Sequence, residues 1–184
     1  MNHYSGKEMA ASFRTVRKNT IQIAEDIPES KYDFRATADT RTVAQTLVHV
    51  AYGPEFMFYI NDNKITDMTK VNFPELFQKI RAEEFKVRNK AEIIALLQAQ
   101  GDRFASYLEG LPDSFLDEVL TMPPGGSPAT RSRFDMLLAP KEHEMHHRGQ
   151  LMLLERLIGV VPHLTREWEQ RQATRAQAAQ TQNK

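Results

Sequence analysis

Three of the six histidines in the sequence fall within five residues, at His143, His146 and His147. In a helix, His143 and His147 lie one turn apart on one face, and Gln150 lies almost one turn beyond. Two imidazoles at that spacing can bind one cation, and a third ligand from another element would leave coordination positions open. The pattern therefore predicts a catalytic metal site. The competing interpretation is a solvated polar helix face on which histidines cluster by chance.

The third ligand has to come from one of the other histidines, and the candidates are His3, His49, His146 and His163. His146 is adjacent to His147, so its side chain points ~100° away from it. His3 belongs to the terminus, and His163 follows the end of the last predicted long helix. His49 lies in an apolar segment of a second long helix, where a core histidine bonded to a neighbour is the alternative. The pair on the last helix favours His49 as a ligand.

Capping residues and apolar periodicity predict four long helices. The first two run over about 6–26 and 42–61, the third runs from 89 to Gly110 or Pro112, and the fourth runs from Thr130 or Ser132 to about 158. A bend is expected near Gly53, because Pro54 interrupts the second helix. Pro140 lies inside the fourth helix, where a proline is expected to change the tilt of the helix. A shorter helix is predicted over about 75–85 and a short extended piece over 117–121. Without clear amphipathic strands, the fold class is all-α, a helical bundle.

The last long helix contains an apolar run over 151–154 that continues at Leu157 and Ile158. This run predicts a helix that is buried nearly all round. Beyond residue 165 the chain is polar and has little to bury. We therefore expect one domain over 1–165 and a polar C-terminal helix or tail over 166–184.

The composition narrows the classes of function. Lys and Arg together number 24, as do Asp and Glu, so no global charge favours nucleic acid or an anionic membrane. The absence of cysteine excludes disulfides, thiolate ligands and a cysteine nucleophile. No segment approaches the ~18 apolar residues of a membrane span, and no secretory signal is visible. We expect a cytoplasmic protein with neither a nucleic-acid nor a membrane partner.

Two segments of the sequence resemble the DinB/YfiT-like superfamily, namely residues 42–51 (TVAQTLVHVA) and 143–151 (HEMHHRGQL), and residues 159–162 (GVVP) fit as well. The resemblance covers roughly residues 5–165. It implies a four-helix bundle with long crossover connections, often as a homodimer. It also implies a divalent metal, commonly zinc or nickel, held by three histidines that match His49, His143 and His147. Imidazole also suits iron, manganese or copper.

The resemblance favours activation of a thiol, since family members include bacillithiol- and mycothiol-dependent S-transferases and a thiol-dependent maleylpyruvate isomerase. Because this chain has no cysteine, the thiol has to be a small-molecule cosubstrate of the bacillithiol, mycothiol or glutathione type. Two alternatives stay open. The same site can serve a metal-dependent hydrolase that activates water. The third possibility is a non-catalytic metal-binding bundle.

Four further residues are candidates for supporting the ligands or lining the pocket: His146, Gln150, Glu144 and Tyr52. A ligating imidazole normally donates its other N–H to an oxygen, which fixes its tautomer. For Glu144, a solvated or interhelical charge is an equal alternative. For Tyr52, one turn after His49, a plain core position is the alternative. The apolar run over 151–154 also leads us to expect a homodimer.

Overall fold

The computed structural model describes residues 4–182, so the candidate ligand His3 lies outside the described residues. In chain order the elements are α1 (Gly6–Asp26), α2 (Val43–Tyr52), α3 (Glu55–Asp62), α4 (Phe73–Ala82), α5 (Lys90–Glu109), α6 (Asp113–Leu116), β1 (Val119–Thr121), β2 (Thr130–Ser132), α7 (Arg133–Leu157) and α8 (His163–Gln182). Over this described range, none of the helices has both the length and the apolarity needed to cross a membrane.

Four of these helices form the bundle. Helix α1 packs against α5 and α7, and α2 packs against the same two helices. Helices α1 and α2 therefore occupy opposite corners of the bundle, as do α5 and α7. The connections over 27–42 and 110–132 run between opposite corners. The expected all-α four-helix bundle with long crossover connections is confirmed.

Side-chain caps determine where α2 and α5 begin. The Thr42 hydroxyl accepts from the backbone N–H of Gln45 at 3.1 Å, and the Gln45 side chain accepts from the Thr42 N–H at 3.0 Å. Asn89 and Glu92 make the same reciprocal pair, at 2.9 and 2.7 Å. Each pair satisfies two backbone donors that the first helical turn leaves free. Both capping pairs can be recognised from the sequence alone.

The second predicted helix is interrupted rather than bent, because α2 ends at Tyr52 and α3 begins at Glu55. Gly53 and Pro54 form the break. A Cβ atom on Gly53 would lie 3.2 Å from Nδ1 of His143. The absence of a side chain at this position therefore makes room for a ring of the candidate site.

Two further expectations need correction. Ser132 is confirmed as the N-cap of the last helix, whereas Thr130, the other predicted start, lies in the strand β2, which pairs antiparallel with β1. The expected burial of the last helix nearly all round is also wrong. Leu153 and Leu157 are 58% and 56% exposed, because no other described element of this chain covers that face of α7.

The core is divided into two apolar clusters with a polar layer between them. One cluster includes Phe13, Phe104 and Leu137, and the other includes Ile23, Leu97 and Leu151. On α1, α5 and α7 respectively, Arg17, Gly101 and Glu144 lie between these positions. Arg17 is 3% exposed and Glu144 is 1% exposed, so a full ion pair is buried at mid-bundle.

Arg17 connects all four bundle helices. Its Nε donates to Glu144 Oε1 at 2.9 Å, and its Nη2 donates to Oε2 at 2.9 Å. Its Nη1 donates to the Leu97 carbonyl at 2.7 Å, and its Nη2 also reaches the Val50 carbonyl at 3.3 Å. A buried ion pair is tolerated when further hydrogen bonds satisfy the charges, as they do here.

The space that Arg17 occupies depends on Gly101, where a Cβ atom would lie 2.7 Å from the Arg17 Cγ. We predict that Gly101→Ala lowers the free energy of unfolding by about 1–3 kcal/mol, because the pinned side chain cannot move away. The measurement is chemical denaturation followed by circular dichroism.

Gly149→Ala is the matched control, since it also replaces a glycine in a long helix but meets nothing within 4 Å. It should raise the free energy of unfolding by up to about 1 kcal/mol through helix propensity. Equal stabilisation by both substitutions would contradict the tight packing of Arg17 against α5.

Candidate metal centre

The structure brings the three predicted histidines together at the middle of the bundle. His143 and His147 lie one turn apart on α7, and His49 faces them from α2. The Nε2 atom of His143 lies 2.9 Å from Nε2 of His49 and 3.1 Å from Nε2 of His147. Over residues 4–182, this is the one cluster of three or more potential metal ligands with ligand atoms within 4.8 Å of one another.

The spacing of the Nε2 atoms fits a divalent cation. With metal–nitrogen bonds of ~2.0–2.1 Å, adjacent nitrogens lie ~3.3 Å apart around a tetrahedral ion and ~2.9 Å apart around an octahedral one. The observed 2.9 and 3.1 Å lie close to these values. Three histidines on one side of such an ion leave its other side open.

The outer nitrogens of two rings fix the tautomers that a metal site needs. His49 Nδ1 lies 2.8 Å from Glu84 Oε1, and His147 Nδ1 lies 2.8 Å from Gln150 Oε1. Each oxygen is an acceptor, so each Nδ1 carries the hydrogen and each Nε2 turns a lone pair inward. The donor set is therefore the one that a cation requires.

Burial keeps the imidazoles in the neutral form that binds metals. It lowers the pKa of His143 to about 4, with the neighbouring His147 and His49 adding to the effect. Burial likewise lowers the pKa of His147 to about 4, against the opposing effect of its hydrogen bond with Gln150. The pKa of His49 is also lowered, first by burial and then by the positive charge of Arg41. At neutral pH all three rings are uncharged.

Glu84 is the supporting residue that the sequence analysis missed. It lies in a 3-10 turn, Glu83–Phe85, and is only 7% exposed. Its carboxylate accepts from His49 and from Arg41, whose Nε lies 2.7 Å from Oε2. The chemistry of a ligating histidine requires such an oxygen, but no spacing in the sequence indicates which of the 24 acidic residues supplies it.

The four predicted supporting residues have different surroundings. Gln150 contacts His147 through its oxygen, and its Nε2 lies 3.0 Å from Nε2 of the exposed His146. Tyr52 lines a cavity beside His49. Glu144 does not support a histidine, because both its oxygens accept from Arg17. It is the buried interhelical charge that the sequence analysis gave as the alternative.

His163 and Pro140 were also singled out in the sequence, and the structure shows where each lies. His163 is the first residue of α8 rather than part of a loop, and its Nε2 lies 3.4 Å from Oδ1 of Asn19. Pro140 lies inside the continuous helix α7 and is buried. Helix α7 continues through it to His143 and His147, so the proline does not separate the pair.

Two cavities of different lining border the three histidines, one at His147 and the other at His49 and His143. The larger, which we call the polar cleft, has a volume of about 750 Å³, and its lining includes His147, His146, Gln150, Glu84, Gln45, Arg35, Arg41 and Arg81. The smaller, which we call the apolar cavity, has a volume of about 220 Å³ and is lined by His49, His143, Tyr52, Gly53, Phe56, Met57, Phe77, Ile80, Ala139 and Pro140. The first cavity has charged residues in its lining, and the second has no lysine, arginine, aspartate or glutamate.

The bundle topology and the three clustered histidines place this chain among helical-bundle proteins with a potential metal centre. The chain belongs to the DinB superfamily, whose family model matches residues 12–151. The resemblance noted in the sequence is thereby confirmed.

Several solved structures share this fold at low sequence identity. YfiT from Bacillus subtilis, described as a probable metal-dependent hydrolase with an unusual four-helix bundle topology, is 17% identical with a TM-score of 0.65 over 87% of this chain and 91% of that one. The DinB-like protein YjoA from Bacillus subtilis is 17% identical, with a TM-score of 0.60 over 83% and 92%. An uncharacterised protein from Clostridium difficile 630 is 15% identical, with a TM-score of 0.64 over 86% and 99%. None of the curated proteins compared by sequence matches significantly.

The contact between Glu84 and His49 generates a prediction about metal affinity. Glu84→Gln removes the negative charge that orients His49 and pairs with Arg41, so we expect zinc to bind about 10–100-fold more weakly. The measurement is a competition titration against a chromophoric chelator.

Glu83→Gln is the matched control, because the neighbouring Glu83 pairs with Lys86 and Arg88 instead. Its zinc affinity should equal that of the unmodified protein. If the two variants bind zinc equally tightly, Glu84 has no role in supporting the site.

Proposed function

We propose that this protein is a metal-dependent S-transferase that joins a small-molecule thiol to an electrophilic carbon. The observation that carries the proposal is the meeting of a polar cleft and an apolar cavity at three neutral histidines. A two-substrate reaction needs two recognition surfaces that converge on one point. We propose His49, His143 and His147 as the metal ligands, with Glu84 and Gln150 orienting them.

The bound ion would be zinc or nickel by preference, with iron, manganese or copper also compatible with three imidazoles. Held by His49, His143 and His147, such a cation would lower the pKa of a thiol bound to it. Because the three imidazoles carry no charge, they would leave the positive charge of the cation uncompensated. The loaded site would therefore attract an anion.

The polar cleft supports a thiol cosubstrate of the bacillithiol, mycothiol or glutathione type. Arg35, Arg41 and Arg81 line it together with Asp39 and Glu84. Arg41 already pairs with Glu84, so Arg35 and Arg81 are the proposed contacts for a carboxylate, which planar guanidinium groups recognise well. The amide nitrogen of Gln45, whose oxygen accepts from Thr42, can donate to a hydroxyl or carbonyl oxygen. The chain contains no cysteine, so the sulfur has to come from this cosubstrate.

The reaction balances without a protein base. The thiol loses its proton to solvent, the sulfur forms a bond to the electrophilic carbon, and the bond from that carbon to the leaving group breaks. The leaving group departs with the electron pair. Glu84 does not take up the proton, because its carboxylate already accepts from His49 and Arg41.

A metal-dependent hydrolase is the second candidate, and the similarity of the fold to YfiT favours it. In that case water would replace the thiol as the nucleophile at the same three histidines. A non-catalytic bundle is the third possibility. The experiment below separates the three.

We further propose that the protein is a homodimer. The exposed Leu153 and Leu157 on α7 are proposed to form the contact, which analytical ultracentrifugation at micromolar concentration can test.

We also propose the extent of the functional domain and the compartment of the protein. Residues 1–165 are proposed as the functional domain, with 166–184 as a polar extension. The cytoplasm is proposed as the compartment, because thiols are kept reduced there.

The test is an assay of zinc- and nickel-loaded protein with bacillithiol, mycothiol and glutathione against a generic electrophile, beside His143→Ala. We expect thiol transfer with at least one thiol. His143→Ala should lose the metal and the activity together while its circular dichroism spectrum stays helical.

The same preparations are tested on a panel of esters and amides without thiol. Equal transfer rates in the unmodified protein and in His143→Ala, across all three thiols, would contradict the transferase. Metal-dependent hydrolysis would then support the hydrolase, and the lack of either activity would support the non-catalytic bundle.

A further inference from the structure

Three parts of the chain line the apolar cavity. The α2–α3 break contributes Tyr52 and Phe56, α4 contributes Phe77 and Ile80, and α7 contributes Pro140. None of its lining residues is a lysine, an arginine, an aspartate or a glutamate. Beyond the two histidines the lining offers no charged partner, so a charged group buried in that part of the cavity would lose its hydration at a cost. The cavity therefore favours an uncharged ligand.

A group of three nearly parallel aromatic rings stands beside this cavity. The Phe56 and Phe77 centroids are 5.7 Å apart with planes inclined by 19°, and Phe73 continues the group at 6.0 Å from Phe56 and 6.1 Å from Phe77. Phe77 is nevertheless 50% exposed. A further flat ring next to this group would cover apolar surface and gain aromatic contacts.

The volume of the apolar cavity is large enough for such a ring. A cavity of ~150 Å³ lined by apolar side chains is enough to hold benzene. The apolar cavity, at about 220 Å³, therefore has room for one ring with a small substituent.

The apolar cavity lies beside the three histidines proposed to bind the metal. His49 and His143 are part of its wall, whereas His147 is part of the wall of the polar cleft. The His49 ring centroid is 4.7 Å from those of His143 and of His147. A molecule in the cavity and a thiol in the cleft thus approach the same point from two sides.

We infer that the apolar cavity is the binding pocket for the electrophilic substrate, and that Phe77 and Ile80 select compounds carrying a single uncharged aromatic ring. This inference rests on the proposed transferase function for its reaction, but the pocket itself can be tested without it. In the reaction with benzyl chloride, the thiol sulfur bonds to the benzylic carbon, chloride leaves with the bonding pair, and the thiol proton passes to solvent.

The first experiment measures binding without catalysis, using benzyl alcohol as an unreactive probe and the metal-free protein. Nuclear magnetic resonance of the methyl groups should show shifts at Met57 and Ile80 that saturate with benzyl alcohol. Ile80→Trp fills the cavity and should abolish the shift at Met57. Saturable shifts elsewhere, or none at these methyls, would overturn the assignment of the pocket whatever the enzyme activity.

The second experiment compares three chlorides with the same leaving group: benzyl chloride, 4-(chloromethyl)benzoate and chloroacetamide. After correction for the uncatalysed rates, kcat/KM should be about tenfold or more higher for benzyl chloride than for its carboxylate analogue. Phe77→Leu should lower kcat/KM for benzyl chloride about tenfold and leave that for chloroacetamide unchanged.

Trp168→Leu is the matched control, since Trp168 is a half-exposed aromatic residue on α8 outside the cavity lining. It should change none of the three rates. An equal loss by Phe77→Leu on all three chlorides would overturn the selection of a ring. Probe binding at the pocket with no transfer of any chloride would instead contradict the transferase function and leave the pocket established.

Discussion

The arrangement of this bundle depends on the pairing of one buried charge, the guanidinium of Arg17. A charge in that position is stable only if its hydrogen bonds are satisfied, and Glu144 together with two backbone carbonyls satisfies them. One of these carbonyls belongs to the residue after His49, and Glu144 is the residue after His143. The same constraint that stabilises the polar layer therefore fixes the separation of the two helices that carry the histidines.

The histidine cluster follows from a second balance, between burial and hydrogen bonding. Burial makes each imidazole neutral, and a neutral ring has one N–H that needs an acceptor. Glu84 and Gln150 accept from the outer nitrogens of His49 and His147, which turns the inner nitrogens towards one another. Convergent lone pairs are complementary to a cation. The polar cleft borders this cluster at His147, and the apolar cavity borders it at His49 and His143.

The sequence predicted most of the fold because its signals are local. Capping pairs such as Thr42 with Gln45 mark helix starts, and the four-residue spacing of His143 and His147 places both rings on one face. The missed features depend on contacts between distant segments. Glu84 lies 35 residues from His49, in a turn with no periodic pattern. The pairing of Glu144 with Arg17 spans 127 residues, so neither residue alone reveals it.

X-ray absorption spectroscopy at the zinc edge of the zinc-loaded protein tests the three-histidine site directly. We predict three imidazole nitrogens at ~2.0–2.1 Å with oxygen as the further ligand, and we predict that added glutathione or bacillithiol introduces a sulfur at ~2.3 Å. In His143→Ala, the spectrum of a three-imidazole site should be absent. A first shell with fewer than three imidazoles in the unmodified protein would contradict the central claim that His49, His143 and His147 hold one cation.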